Sequence, residues 1–596
     1  MLRLTPDYCV PAGSLWSWLA VSIILCVSAV GALAANRMAG QASPYLALHA
    51  QDPVHWQVWG PAALEAARRD NRLILVSLGY FACHWCHVMQ RETWADAEAA
   101  RFINANFVPV KVDREVNAAL DAALQAFSQR TRGIAGWPLN VFLTPEGYPL
   151  FAIAYAPRDE FLQVARALAE RWRREGAALA QLAREAAQND RARAIADLPR
   201  AFLAAAKAHA DMLRGGFERT AKFPMSPQLL ALLESQARAP DGQIEEFLRL
   251  TLQQMRDGGL RDHVGGGFFR YTVDPDWHEP HFEKMLYDNA QLALVFLRAA
   301  EVLREPDHRR IGLETVDFLL NDMAVRRGSA ARGFVASLSA LDDKGREGGG
   351  YLWDKEILRR VLDPEALALV TRVWALDRAA DFELGYLPQE KRPASPSDRQ
   401  ALAAVHAKLR GLRAQRRIPR DEKVLTGWNG LVLAALSAAA AVDPRYRPQA
   451  DALYGFARRQ LWQGDRLVKG VAGSRALGPA ELEDYAYLAY GLARYVALSR
   501  REEARAYLRQ VVQTAWQRFY DGGAFRLEEA SLLAAQHADP WKDGATPAPA
   551  ALLAAVTRAA GIPALTRRAD AVLEQARTAA TGDPLWRATL AQPPSL

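Results

Sequence analysis

Two cysteines three positions apart, in Cys83-His84-Trp85-Cys86, restrict the folding of this 596-residue chain more than any other word in it. Upstream, Arg72-Leu73-Ile74-Leu75-Val76-Ser77-Leu78 is a short apolar run suited to a buried strand. It passes through Gly79-Tyr80-Phe81-Ala82 into the cysteines. Downstream, Val88 to Trp94 reads as helix. Residues 107–113 and 139–143 read as two further strands, the last followed by a turn at Pro145-Glu146-Gly147. Strands separated by helices in this order imply a central sheet with helices packed on it.

A cysteine pair between a strand and a helix has a chemical use. Backbone N–H groups at a helix N-terminus stabilise a thiolate on the first cysteine, and the second can resolve a mixed disulfide. The expected catalytic residues are therefore Cys83 and Cys86, with His84 and Trp85 tuning the thiolate. Gly136-Trp137-Pro138 precedes the third strand. Pro138 is expected to be cis and to pack against the pair, as in thioredoxin folds, since only proline makes a cis bond readily accessible. Cys83 to His87 also spells Cys-x-x-Cys-His, the attachment pattern for c-type haem, but the strand–motif–helix context fits redox exchange better. Zinc would need a second ligand pair at the usual spacing, which is missing, so neither metal nor cofactor is expected. A plain structural disulfide stays open as an alternative.

Beyond Phe161 the character changes. Ala/Leu/Arg-rich stretches with apolar residues at three- and four-residue spacing dominate, as in 292–303, 430–442 and 485–498. Gly-rich connections such as Gly265-Gly266-Gly267 and Gly348-Gly349-Gly350 break them. Paired helices with long connections suggest a closed ring of helical hairpins; no fixed sequence period supports a solenoid. The expected organisation is an export segment at 1–35, an α/β domain at 36–160, a helical connector at 161–198 and an all-α domain at 199–596.

The export reading rests on Arg3, an uncharged apolar stretch from Leu15 to Ala35, and Ala32-Leu33-Ala34 as a cleavage signal. The stretch is long enough that an uncleaved inner-membrane anchor is the rival. The expected location is periplasmic, with membrane contact only through that anchor. Cys9 and Cys26 lie in or before this segment, so a cleaved chain keeps only Cys83 and Cys86. The net charge of +7 is small for this length and forms no basic block, which gives no case for nucleic acid.

The densest polar cluster of the helical region runs from Gly265-Gly266-Gly267-Phe268-Phe269-Arg270-Tyr271 to Trp277-His278-Glu279-Pro280-His281-Phe282-Glu283-Lys284-Met285-Leu286-Tyr287-Asp288. Pro280 suits the first turn of a helix, which would put His281, Lys284 and Asp288 on one face and Glu283 on the other. Asp421 to Gly430, with Trp428 and Asn429, and Glu483-Asp484-Tyr485 add acids and aromatics. His278, His281, Glu283, Lys284, Asp288, Trp428, Asn429 and Asp484 are the candidates for a cleft, with a buried polar network as the plainer alternative.

These words together resemble one family, the thioredoxin-domain proteins formerly described by a domain of unknown function. It includes the mammalian spermatogenesis-associated thioredoxin-like protein and bacterial homologues. The resemblance starts at Asn36-Arg37-Met38 and Ser43 to Ala50. It continues through Pro53-Val54-His55-Trp56, Cys83 to Met89, Gly136 to Pro145, Lys222-Phe223-Pro224, Pro280 to Asp288 and Lys423 to Leu431. It implies a multidomain α/β plus all-α chain: a thioredoxin-like fold followed by an α/α toroid of the six-hairpin glycosidase type. It carries the redox roles to Cys83 and Cys86 and the cis-proline to Pro138. Two departures stand out. Ser339-Ala340-Leu341-Asp342 replaces the family's Asp-Ala-Asp-Ser run, and Pro547-Ala548-Pro549-Ala550 replaces Pro-Ser-Gly-Asn. Both remove polar groups from the cleft that a glycosidase or epimerase would need.

Three functions follow as expectations. The first is a thiol–disulfide oxidoreductase with a protein thiol or disulfide as partner. The second is a carbohydrate-active toroid with a redox-sensing appendage, acting on a small molecule or sugar. The third is a non-catalytic protein that binds a client.

Overall fold

The computed structural model describes residues 35–188, 194–217, 219–327, 330–534 and 538–596. The segment read as an export signal or anchor lies outside the described residues, apart from Ala35. Among the described residues no helix is long and apolar enough to cross a membrane.

The first domain is built on a five-stranded sheet in the order β1-β3-β2-β4-β5. Its strands are β1 (Gln57–Val58), β2 (Leu73–Gly79), β3 (Phe107–Asp113), β4 (Leu139–Leu143) and β5 (Pro149–Ile153). β3 runs parallel to β1 and β2, whereas β4 is antiparallel to β2 and β5. This is the thioredoxin-like topology. β2 is buried at every position, which explains why it reads as a continuous apolar run. One face of the sheet packs on helices Pro61–Asp70 and Ala118–Arg132 through Leu64, Ala67, Leu120, Leu124 and Phe127. The other face carries Trp56, Trp94, Phe142, Phe161 and Trp172. Phe161 and Trp172 belong to the long helix Arg158–Gln188, so the first half of the expected connector packs on the sheet.

The second domain closes into a ring. Helices Ser226–Arg238, Leu286–Val302, Thr426–Val442, Leu482–Ser499, Pro549–Thr557 and Ala588–Ala591 each pack on the next, and the sixth packs back on the first. Helices Gly242–Asp257, Pro306–Phe318, Arg447–Phe456, Glu502–Phe519, Pro563–Ala579 and Leu198–His209 stand outside them. This is the α/α toroid. Thr426–Val442 carries no charge and is buried almost throughout, as an inner helix enclosed on all sides must be. The long connection before it holds helices Lys355–Val361, Pro364–Val373 and Pro396–Arg413, with their own core of Trp353, Trp374 and Leu409.

Inner helices Thr426–Val442 and Leu482–Ser499 touch backbone to backbone. A Cβ on Gly430 would lie 2.5 Å from Leu488 Cα, and one on Gly491 would strike the Gly430 carbonyl. Neither obstacle is a flexible side-chain end, so the helices would have to part. Gly430→Ala is expected to destabilise the toroid by about 1–3 kcal/mol, read as a lowered denaturant midpoint. An unchanged midpoint would show that the crossing yields without cost.

Candidate active site at the domain interface

The turn after β2 delivers Cys83 to the N-cap of helix His84–Met89, in an extended backbone conformation. Its Sγ accepts the Cys86 N–H at 3.1 Å, and its own N–H reaches the Tyr80 carbonyl at 3.4 Å. Cys83 and Cys86 are joined in a disulfide, and each is only 2% exposed. The Trp137–Pro138 bond is cis. Of the residues between the cysteines, Trp85 is 40% exposed and stacks on Tyr155, while the His84 ring turns toward the toroid.

The toroid supplies what covers the motif. Glu283 Oε2 accepts the Tyr80 hydroxyl at 2.6 Å and the Arg270 guanidinium at 3.1 Å, and the nearby His84 backbone N–H favours its charged form. A carboxylate thus sits at the N-terminus of the helix that carries the cysteines. Burial raises the Glu283 pKa, against the pull of Arg270 and His281. Beside it, His281 Nδ1 lies 2.7 Å from Glu347 Oε1, and Glu347 Oε2 lies 3.4 Å from His84 Nδ1. Burial disfavours charge on both imidazoles. For His281 the Glu347 carboxylate more than offsets burial and the pKa rises; for His84 burial wins and the pKa falls. The Arg114 and Arg270 guanidiniums both lie against the Tyr80 and Trp137 rings, 4.2 to 5.0 Å from their centroids.

Deeper in the ring, Tyr287 packs edge-on against Trp428. Burial pushes the Asp288 carboxyl up to about 7 despite Arg270 and Arg114. Two buried ion clusters flank this centre. Lys423 contacts Asp113 at 2.5 Å, Asp421 at 2.8 Å and Glu115 at 2.9 Å, all four side chains fully buried. Burial raises the Glu115 pKa against the pull of Lys423, with the neighbouring Asp421 and Asp113 carboxylates pushing the same way as burial. Lys469 contacts Glu481, Glu483 and Asp484 at 2.8, 2.9 and 3.2 Å. These three acids alone have the spacing to hold a metal ion among the described residues, and the ammonium of Lys469 pairs with all of them. Glu481 also accepts the N–H groups of Ala118 and Ala119, so it caps a helix of the first domain.

The structure brings Cys83, Cys86, Pro138, His84, His281 and Glu283 into one neighbourhood and places other candidates elsewhere. Lys284 is held by Asp262 at 2.6 Å and by the Gly266 carbonyl. Asn429 spends its amide on Phe334 and Leu425 backbone, as Asn289 does on Phe268 and Met285. His278 is exposed on a loop. Asp484 serves the Lys469 cluster and accepts the Gly427 N–H. The helix expected to start at Pro280 starts instead at Leu286, because Pro280–His281 and Lys284–Met285 pair as short strands with Tyr271–Thr272 and Ser337–Leu338. In extended backbone Glu283 and Lys284 point to opposite sides. Sequence reasoning missed Tyr80, Arg114, Glu115, Glu347 and Lys469. The charged run Asp113-Arg114-Glu115 straight after a buried strand was the available signal.

A thioredoxin-like domain whose cysteine face is seated on an α/α toroid defines the class of this protein. Its N-terminal part, residues 35–189, matches the family Thioredox_DsbH, described as "Protein of unknown function, DUF255". The chain is 30% identical over 570 residues to mouse spermatogenesis-associated protein 20, covering 83% of this chain and 71% of the mouse protein. The human protein of the same name is 29% identical over 580 residues, covering 83% and 72%. The chain belongs to this family. Among solved structures, a sugar epimerase from a ruminal bacterium aligns at 9% identity and a TM-score of 0.43, over 64% of this chain and 85% of the epimerase.

Two outcomes are expected. Lys423→Met leaves Asp113, Glu115 and Asp421 buried without their cation and should cost about 3–5 kcal/mol of unfolding free energy. A variant as stable as the parent in urea would contradict that. The His281–Glu347 pair titrates with a raised imidazole pKa, so it stabilises the fold fully below the ordinary 6.5 and fades as pH rises through the raised value. The stability gap between the parent and Glu347→Gln should be present at about pH 6 and close toward about pH 9. A gap that is constant with pH would mean the pair contributes nothing through charge.

Proposed function

We propose that this chain is a thiol–disulfide oxidoreductase acting outside the cytoplasm, with Cys83 as the sulfur that is attacked and that attacks. The observation that supports this best is the Cys83–Cys86 disulfide at a helix N-terminus, with the Glu283 carboxylate held beside it by the Tyr80 hydroxyl. In the reductive direction an incoming thiolate bonds to Cys83 Sγ, the Sγ–Sγ bond breaks, and Cys86 leaves as a thiolate that takes up a proton. A second thiolate attacks the incoming sulfur, releases Cys83, and leaves the protein reduced by two electrons. Trp85 and His84 tune the couple, and Pro138 shapes the approach. Export rests on the N-terminal segment of the sequence.

Glu283 makes the reading specific. Its carboxylate competes with a Cys83 thiolate for the positive end of the helix, so it disfavours the reduced form. Thiol trapping across a glutathione series should place the potential between roughly −120 and −270 mV. Glu283→Gln should lower the Cys83 pKa and raise the potential by on the order of 30 mV. A pair that stays oxidised far below that range would make the disulfide structural.

A second reading has one observation in its favour. Glu283 and Asp288 are two buried carboxyls at the inner mouth of the toroid, both titrating above the usual range, as a sugar-processing acid and base would. Sugar-dependent activity that survives Cys83→Ser would select it.

A further inference from the structure

We propose that the exchange partner of the Cys83–Cys86 pair is a low-molecular-weight thiol or its disulfide, and that the toroid excludes polypeptides from the pair. This rests on the oxidoreductase reading above and narrows its substrate class.

The surroundings of the disulfide decide it. Behind Cys86, Gly79 lies against the Tyr45 ring, and a Cβ there would meet the Tyr45 hydroxyl and come within 2.8 Å of Cys86 Sγ. Tyr45 is 1% exposed, so that side is closed. On the toroid side, Glu283 is bonded to Tyr80 and Arg270. On the side of Trp137-Pro138 the two guanidiniums cover the Tyr80 and Trp137 rings. What remains is a rim of His84, Trp85, His281 and Glu347, whose side chains keep partial exposure.

A cysteine inside a polypeptide brings chain in both directions, and a strand laid beside another needs ~4.8 Å of free width along its length. With Cys83 and Cys86 almost without exposure, the described residues leave no such lane beside the pair. A small thiol carries its sulfur at the end of a short stem and needs only the rim. The balance is two thiols plus the protein disulfide giving one small disulfide plus the protein dithiol, or the reverse.

The test uses the full chain with the pair oxidised. Rates of reduction by 2-mercaptoethanol and by an extended peptide with one central cysteine are followed by alkylation and mass shift, each corrected for its thiolate fraction. 2-Mercaptoethanol is expected to react at least about tenfold faster than the peptide. Tyr80→Phe, which removes one latch hydroxyl and keeps the ring, should raise the peptide rate and narrow that ratio; if it does not fold, the parent ratio decides alone. Equal rates for the two thiols in the parent would overturn this inference and leave the oxidoreductase reading standing. If neither thiol reduces the pair in the native protein, while both do so after denaturation, the inference falls together with that reading.

Discussion

The ammonium of Lys423 is the point on which the two domains are registered. It belongs to the toroid, yet two of the carboxylates around it, Asp113 and Glu115, come from the end of β3. A charge with no exposure tolerates little displacement, because each fraction of an ångström away from its partners exposes desolvated charge without compensation. β3 ends beside the cysteine motif, and Arg114 N–H bonds to the Gly79 carbonyl. Fixing Asp113 therefore fixes the position from which the cysteines face the toroid. The capping of helix Ala118–Arg132 by Glu481 adds a second anchor on the same side. Together they explain why the contact is a built joint rather than two domains leaning on each other.

That joint gives Glu283 a double life. It reads as a cleft carboxylate of the toroid and accepts the Tyr80 hydroxyl from the turn that leads into the cysteines of the other domain. The same atom set therefore serves either redox tuning or acid–base chemistry, and the two readings share one carboxyl. The departures from the family words bear on the balance. Asp342, left from the altered run, spends its carboxylate on a turn with Lys344 and Arg346. Ala548, in the other altered word, offers only its N–H, which Asp543 accepts. Neither supplies a group to the centre of the ring.

What the sequence disclosed followed from local pattern. β2, β3 and β4 are mostly apolar and buried at every position, and burial on both faces forces that pattern at the level of single strands. β1 has two residues and β5 follows a Gly turn with mixed burial, so neither has a local signature. The uncharged inner helix Thr426–Val442 was legible for the same reason as β2. The start of the helix at Leu286 was not, because the residues before it are drawn into pairing with distant strands, and Pro280 satisfies a strand edge as well as a helix start. Within the site, the cysteines and Glu283 stood inside dense motifs. Tyr80, Arg114 and Glu347 become meaningful only after docking brings three separate loops together, and no periodicity records that.

The ring is closed by Ala588–Ala591, a stave of a single turn, tied in by Asp543, which accepts both the N–H and the hydroxyl of Thr589. Its two neighbours, Ser226–Arg238 and Pro549–Thr557, must each wait for it with one flank unmatched, since a ring gains its last two contacts at once. During synthesis, the domain has its earliest hairpins ready long before they can be sealed. Such a domain remains open to chaperones until residues 588–591 have been made. The shortest helix of the ring thereby sets the moment at which the protein commits to its shape.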